Sequence, residues 1–425
     1  MLEKEKIFSR DSIITNTVIK KKINYLILGA GPSGLTFAHS LLDQGISKNE
    51  ILVLEANDEA GGLCRSAIVD AAPLDIGGGH FLDVRKKEVL DFLFRFMPRE
   101  EWNSYDRIAK IILRGKEVDH PLEGNLWQLS KEDQLNYLES IAQAGSVRGE
   151  TMPKSFIEWI RWKLGECIAN NYMLPYNRKI WSMDLNLLGT YWLYKLPAVS
   201  FRETLSSCLE GKARGTLPAH GTFLYPKHYG YGEVWKRMGK ALGSQLITNC
   251  PVRTIDLSTK TINGIYQANI IINSIPWTRW LEMASNLPEI ITESIKKLVN
   301  ISIDVDYQQK TLQTKAHWIY EPCEKTAYHR MLVRSNFCAG SRGYWTECNA
   351  MRSLPTNGFR HHNEYAYPVN TLEKPKAINI ILEWAKKNKI YGLGRWGKWE
   401  HMNSDIAVAE ALIMARTFTS ESIIA

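Results

Sequence analysis

The sequence predicts an α/β chain: a Rossmann-like parallel sheet with a helical insertion and an antiparallel-sheet substrate domain. Three observations carry this. Tyr25-Leu26-Ile27-Leu28 is a short apolar run of buried-strand type, followed at once by Gly29-Ala30-Gly31-Pro32-Ser33-Gly34 and a helical stretch over 35–42. A second apolar strand, Ile51-Leu52-Val53-Leu54, ends in Glu55. Further along, apolar residues recur at helical spacing over 156–168, and strand-like runs alternate with turns over 299–350.

The first glycine turn has the GxGxxG spacing between a strand and a helix. Gly29 permits the tight turn, Gly31 lets the backbone approach a pyrophosphate at the helix N-terminus, and Gly34 lets helix and strand pack closely. Pro32 and Ser33 stand in the same turn, and Glu55 can accept the adenosine ribose hydroxyls. Ala56 then leads into Gly61-Gly62-Leu63-Cys64-Arg65. An acid at a strand end followed by Gly-Gly-x-x-Arg resembles the extended flavin fingerprint of amine oxidases and their relatives. That resemblance implies tightly held FAD, with Arg65 near the pyrophosphate or the flavin.

Bulk numbers bound the rest. A chain of 425 residues with 44% hydrophobic and 23% charged residues is globular and long enough for two or three domains. A net charge of +8 without a basic run beyond Lys20-Lys21-Lys22 favours a small anionic substrate over nucleic acid. No apolar stretch reaches membrane-spanning length, and the N-terminus is too charged for a signal peptide. Seven dispersed cysteines without a CxxC read as reduced cytoplasmic thiols, and no Cys/His spacing suggests a metal. Fourteen tryptophans and eighteen tyrosines chiefly fill cores.

In order, residues 1–21 are a lead-in. Residues 22–85, 243–280 and 375–425 form a discontinuous nucleotide domain, with 126–215 the helical domain. Residues 100–125, 216–242 and 295–374 form the substrate sheet. Gly77-Gly78-Gly79-His80 is a second glycine cluster. It suits backbone passing a flat ligand at Gly78 and Gly79, with His80 either near that ligand or a plain loop histidine. Residues 86–97 read as a helix, 108–118 as a hairpin, 173–181 as a pocket loop and 187–196 as helical. Residues 246–256 and 261–275 return to short strands, and the flavin-fold resemblance implies that they belong to the nucleotide domain, with Val252 near the adenine. Gly394-Arg395 and Asn403-Ser404-Asp405 make a second glycine turn into a helix capped by Ser404 or Asp405, a second anion site for the same dinucleotide.

Taken in order, these segments resemble UDP-galactopyranose mutase over roughly residues 22–420. The carriers are Gly394-Arg395-Trp396-Gly397 with Trp399, the Asn403-x-Asp405 start of the last helix, Pro175-Tyr176-Asn177-Arg178-Lys179-Ile180-Trp181, the strand with Arg330, and Tyr367-Pro368. The resemblance implies that the protein interconverts pyranose and furanose forms of a nucleotide sugar for cell-surface glycans, without net redox. In that chemistry reduced flavin attacks the anomeric carbon and a flavin–sugar iminium forms. NAD(P)H or another reductant would keep the flavin reduced. It implies Arg330, Tyr367 and Lys195 at the diphosphate, Arg395 at the flavin or substrate, and Tyr176, Asn177, Trp181 and His401 around the substrate. Lys195, Phe337 and His401 depart from the family pattern, as does the extra glycine before His80. An oxidoreductase of the amine oxidase or protoporphyrinogen oxidase type is the alternative reading. A non-catalytic FAD-binding relative is a third.

Overall fold

The computed structural model describes residues 21–193, 199–215 and 221–422, with side chains given through Phe418. Lys195 and residues 1–20 lie outside these ranges.

Lys21–Leu28 pairs in parallel with Ile51–Leu54 on one side and with Tyr266–Asn273 on the other. Leu246–Ile247 extends the sheet beyond Ile51–Leu54, and Ile390–Gly392 lies beside Tyr266–Asn273, both again parallel. Burial on both faces explains the unbroken apolar runs of Leu26, Ile27, Leu28 and of Ile51–Leu54. The register aligns Leu28 with Leu54 and with Asn273, and Asn273 with Gly392. The next residues, Gly29, Glu55, Ser274 and Leu393, therefore emerge together at one edge, outside the carboxyl ends of the strands. This is the Rossmann-like parallel sheet that the glycine turn predicted.

The helix Pro32–Asp43 packs against the last helix, Ser404–Ser422. Phe418 seats its ring edge-on to Phe37 and Tyr391, at centroid distances of 5.7 and 4.8 Å. The opposite face of the sheet is covered by Trp277, Trp280 and the helices Glu289–Lys296 and Lys374–Lys387.

A second sheet runs in the order Arg360–Pro368, Asn300–Gln308, Tyr344–Asn349, Arg330–Leu332, Trp318–Tyr320, Ala109–Leu113, Lys116–Asp119. It is antiparallel except where Trp318–Tyr320 meets Ala109–Leu113 in parallel. Trp102–Asp106 and Thr222–Pro226 are not in it; with Leu82–Asp83 they make a separate three-stranded sheet.

The insertion is helical over Lys131–Ala142, Phe156–Ile168 and Phe201–Glu210. Two expectations fail here. The stretch expected as a pocket loop is the helix Leu174–Trp181, entered through a wide i→i+5 turn at Ala169–Met173. That widened turn accommodates Pro175, which has no N–H to give to a regular ladder. Of the helical pattern expected over 187–196, the described residues 187–193 form no α-helix: a 3₁₀ turn, Leu185–Leu187, ends at its first residue, and Leu188 and Gly189 then bridge to Thr371 and Ser155 in extended form, while 194–196 lie outside the described residues. Leu188 and Leu193 are buried there while Leu187 and Tyr191 are exposed, so the apolar spacing reports isolated anchoring residues rather than a helix face.

Candidate active site

A cavity of about 480 Å³ opens at the carboxyl edge of the parallel sheet. Gly29, Gly31, Pro32 and Ser33 form one wall. Gly29 has φ +97°, and its N–H donates to the Leu54 carbonyl at 2.8 Å. Gly34 lies behind the wall: a Cβ there would sit 2.1 Å from the Gly29 oxygen. Gly31 differs, since a Cβ would meet only the Gly62 Cα at 4.0 Å and otherwise point into open space. That open side is what a pyrophosphate needs.

Glu55 and Ala56 continue the wall. The Glu55 carboxylate accepts from Ala30 N at 2.8 Å and from Asn57 N at 2.9 Å, so it shapes the glycine turn as well as facing the cavity. Gly62, Leu63 and Arg65 form the next wall, with Arg65 Nε donating to the Gly62 carbonyl at 3.1 Å. Gly61 stays behind them, donating to Ala30 O at 2.8 Å. Val252 lines the far end beside Cys250 and Pro251.

The chain's C-terminal part closes the cavity with Leu393, Arg395, Trp396 and Asn403. Gly394, at φ +71°, is pressed so tightly on Ser33 that a Cβ would lie 2.1 Å from its Oγ. In the last helix the first bond is donated by Ala407 N to the Asn403 carbonyl, so Asn403 occupies the cap position expected at Ser404 or Asp405. Ser404 pairs with the Tyr231 hydroxyl at 2.6 Å. Asp405 is buried behind the wall, where burial raises its pKa.

The second glycine cluster behaves otherwise than expected. A Cβ at Gly77 would strike Leu63 O, at Gly78 the Glu347 carboxylate, and at Gly79 the Leu332 side chain. These glycines accommodate protein atoms, and only His80 of the segment lines the cavity, its Nδ1 3.0 Å from the Gly78 carbonyl. Beneath them Asp75 is wholly buried. It accepts from Ser66 Oγ (2.6 Å), Tyr225 Oη (3.0 Å) and Tyr231 N (3.0 Å), and burial pushes its pKa up to about 7.

A cationic, phenolic site adjoins the cavity through Arg395. Its guanidinium donates to the Ala366 and Met402 carbonyls at 2.8 Å each and stands 5.4 Å from the Tyr367 ring centre. Tyr367 has His401 at 4.8 Å on its ring, and its hydroxyl accepts from Arg330 Nη2 at 3.3 Å. Arg330 in turn is paired with Glu347, donating from Nε at 2.9 Å and again from Nη2. The other Glu347 oxygen accepts from Gly79 N at 2.9 Å. Burial alone would lower the Arg330 pKa, but Glu347, with Tyr367 and Tyr176 near, holds it well above the ordinary value. Arg330 is a permanent cation.

Tyr176 joins this site from the helix Leu174–Trp181, its ring 5.6 Å from Tyr320 and 5.9 Å from His329. Tyr320 is the cross-strand partner of Arg330 and accepts from Arg107 Nη2 at 2.7 Å. Burial raises the Tyr176 pKa, keeping the phenol protonated. Burial, with Arg330 and Lys179 adding to it, holds His329 well below its usual range, so that ring is neutral.

Asn177 and Trp181 do not present polar atoms to either space. Asn177 Nδ2 donates to Met173 O of the preceding turn at 2.8 Å, and its Oδ1 accepts from Trp181 Nε1 of its own helix at 2.9 Å. Phe337 is also no site residue. It is fully buried among Phe81, Tyr225 and Trp345. Lys195 lies outside the described residues. Sequence reading missed Glu347 and Tyr320, whose only signal is their strand register to Arg330. It also missed His361, which reaches the cavity from the strand Arg360–Pro368. Among the described residues no group of three or more His, Cys, Asp or Glu could hold a metal ion, and no helix is long and apolar enough to cross a membrane.

Fold and cavity define the class first: a Rossmann-like dinucleotide fold carrying an appended, largely antiparallel sheet. A model of the NAD(P)-binding Rossmann-like domain matches residues 27–96. Within that class, the resemblance to UDP-galactopyranose mutase spans nearly the whole chain. The UDP-galactopyranose mutase of Mycoplasma pneumoniae is 22% identical over 415 residues, 94% of this chain and 97% of the relative. The crystal structure of a reduced UDP-galactopyranose mutase superposes with a TM-score of 0.83 at 22% identity, covering 94% of this chain and 96% of that one. A putative protoporphyrinogen oxidase from Exiguobacterium sp. gives 0.71 at 15% identity over 94% and 99%. A putrescine oxidase variant gives 0.64 at 14% over 94% and 100%.

Proposed function

We propose that the cavity holds FAD and that the protein is a flavin-dependent nucleotide-sugar mutase. On this reading it interconverts pyranose and furanose forms of a sugar destined for cell-surface glycans. The observation that carries the reading is the contact of two sites: Arg395 walls the dinucleotide cavity and packs over Tyr367, which hydrogen-bonds Arg330. The residues fit a dinucleotide. Gly31 leaves its side of the cavity open, and the turns 29–34, 61–65 and 393–396 converge on one space. Bound there in reduced form, FAD would supply a nucleophile for the anomeric carbon.

The chain's own residues do the rest. Arg330 and the Tyr367 hydroxyl hold the diphosphate that must leave and return, since a fixed cation and a phenolic donor suit phosphate oxygens. Glu347 keeps the guanidinium aimed, and by bonding Gly79 N it fixes that aim relative to the segment bearing His80. Tyr176 supplies an aromatic wall with a protonated phenol for the nucleoside end. The buried aromatic surround excludes water from the departed diphosphate.

The test is anaerobic. The dithionite-reduced holoprotein is given a panel of UDP-hexoses, with oxidised protein in parallel. Ring-contracted product from the reduced form alone, without net flavin oxidation, is expected. Bound FAD with net oxidation of an amine or porphyrinogen, and no isomerised sugar, would replace this reading with the oxidoreductase one.

A further inference from the structure

Among the described residues, Lys179 is a buried lysine that ion-pairs with no carboxylate. Its side chain is fully buried, and its ammonium donates three hydrogen bonds: to the carbonyls of Glu321 (2.6 Å) and Cys323 (2.8 Å) and to Thr326 Oγ1 (2.7 Å). Three donors thus meet three acceptors, all on one turn. That turn joins the strand Trp318–Tyr320 to the strand Arg330–Leu332, at whose facing ends Tyr320 and Arg330 are paired across the ladder, so what is fastened to the turn is fastened to that pair. Cys323, Glu324 and Lys325 at its tip are exposed. The Glu321 carboxylate does not take the ammonium as a hydrogen-bond partner; it accepts from Cys323 N at 2.8 Å instead.

The other end of the link is the helix Leu174–Trp181. Tyr176 stands three residues before Lys179 and therefore on the same face. The helix is also fastened to the strand Tyr344–Asn349, through Asn349 Nδ2 donating to Ile180 O at 2.9 Å. That strand carries Glu347, the partner of Arg330.

We infer that Lys179 is a positioning residue that locks the helix carrying Tyr176 to the turn preceding Arg330, so that the aromatic wall and the diphosphate cation are held at a fixed separation. This rests on the reading of Arg330 and Tyr176 as the nucleotide-sugar site. A merely structural lysine would affect folding and cofactor retention. A positioning lysine acts on nucleotide affinity, with the cofactor kept.

The experiment uses the FAD-loaded full chain and UDP as the probe, with calorimetric titration, KM and kcat for the nucleotide sugar, and the flavin spectrum. Lys179→Met should weaken UDP binding and raise KM at least ten-fold, with kcat within three-fold of the parent and full flavin occupancy. Thr326→Val, which removes one of the three acceptors, should do the same more weakly, by about two- to five-fold, and carries the test where Lys179→Met does not fold. Unchanged UDP affinity in the folded variant, or a loss confined to kcat or to flavin content, overturns the inference. Arg330→Ala separates the two claims. If it leaves UDP affinity intact, the site reading falls and the inference with it. If it abolishes binding while Lys179→Met and Thr326→Val do not weaken it, only the inference falls.

Discussion

The dinucleotide cavity and the Arg330 site beside it are built from different material. The cavity is framed by glycine turns: those at 29–34, 61–65 and 393–396 meet around it, and side chains hold them in place, as Glu55 does for Ala30. The Arg330 site is side chains almost throughout, with Glu347, Tyr367, Tyr176 and Tyr320 drawn from four elements. A backbone site is specified by which residues lack a Cβ. A side-chain site is specified by pairings across the fold, and each member depends on the next.

Breaking the contrast begins with the two glycines that look alike in the motif. Gly34→Ala should abolish folding, since its methyl would lie 2.1 Å from the Gly29 oxygen, well inside contact; soluble yield and a cooperative urea transition are the checks. Gly31→Val, by contrast, should fold within about 1.5 kcal/mol of the parent, because its side chain enters open space. It should purify without flavin absorbance. A yellow, FAD-replete variant would remove Gly31 from the cofactor site.

On the side-chain site, Arg330→Ala should stop turnover and also destabilise the fold by about 3–5 kcal/mol, because it leaves the buried Glu347 carboxylate without its cation. Arg330→Met with Glu347→Gln should recover most of the stability and none of the activity. Equal loss of stability in the single and double variants would show that the pair is not the coupled unit described.

Asp75 brings a pH dependence to the cavity's foundation. Its folded pKa, pushed up to about 7, lies above the unfolded value of about 3.9, so the native state binds the proton more tightly. The stability from that protonated form is fully present below about pH 4 and is lost as pH rises through about 7. Three units correspond to roughly 4 kcal/mol. Urea titrations at pH 5 and pH 8 should show this slope in the parent and a flatter one in Asp75→Asn. The smallest effect is at Phe337. Phe337→Tyr adds a hydroxyl among buried aromatic rings and should lower stability by about 1–3 kcal/mol while leaving KM unchanged, the opposite of a phenol restored to a substrate site.

The same contrast explains what the residues reveal before folding is known. Gly29, Gly31, Glu55 and Gly62 were legible because spacing along one chain states the local backbone, and the cavity follows from strand ends aligned in parallel. The cluster 77–79 misled because a glycine that clears Glu347 and one that clears a ligand read identically. Asn177 and Trp181 misled because polar groups on a helix face also bond within their own helix. Glu347 was invisible, since only the antiparallel register brings it opposite Arg330. Arg330 and Tyr367, which the structure brings into hydrogen-bond contact, are singled out by motif order, and nothing local distinguishes them from a surface pair.

Gly394 pressed against Ser33 has a temporal consequence. The glycine turn that begins the cavity leaves the ribosome early, while the residues that complete it are made more than 350 positions later. At typical rates of synthesis that is a delay of roughly 20–70 s. Throughout it the nascent chain carries half a nucleotide site with its fourth wall untranslated. On the FAD reading, cofactor capture is therefore among the last events of this protein's biogenesis, and a chain stalled before Gly394 would lack the residues that close the cavity over Ser33.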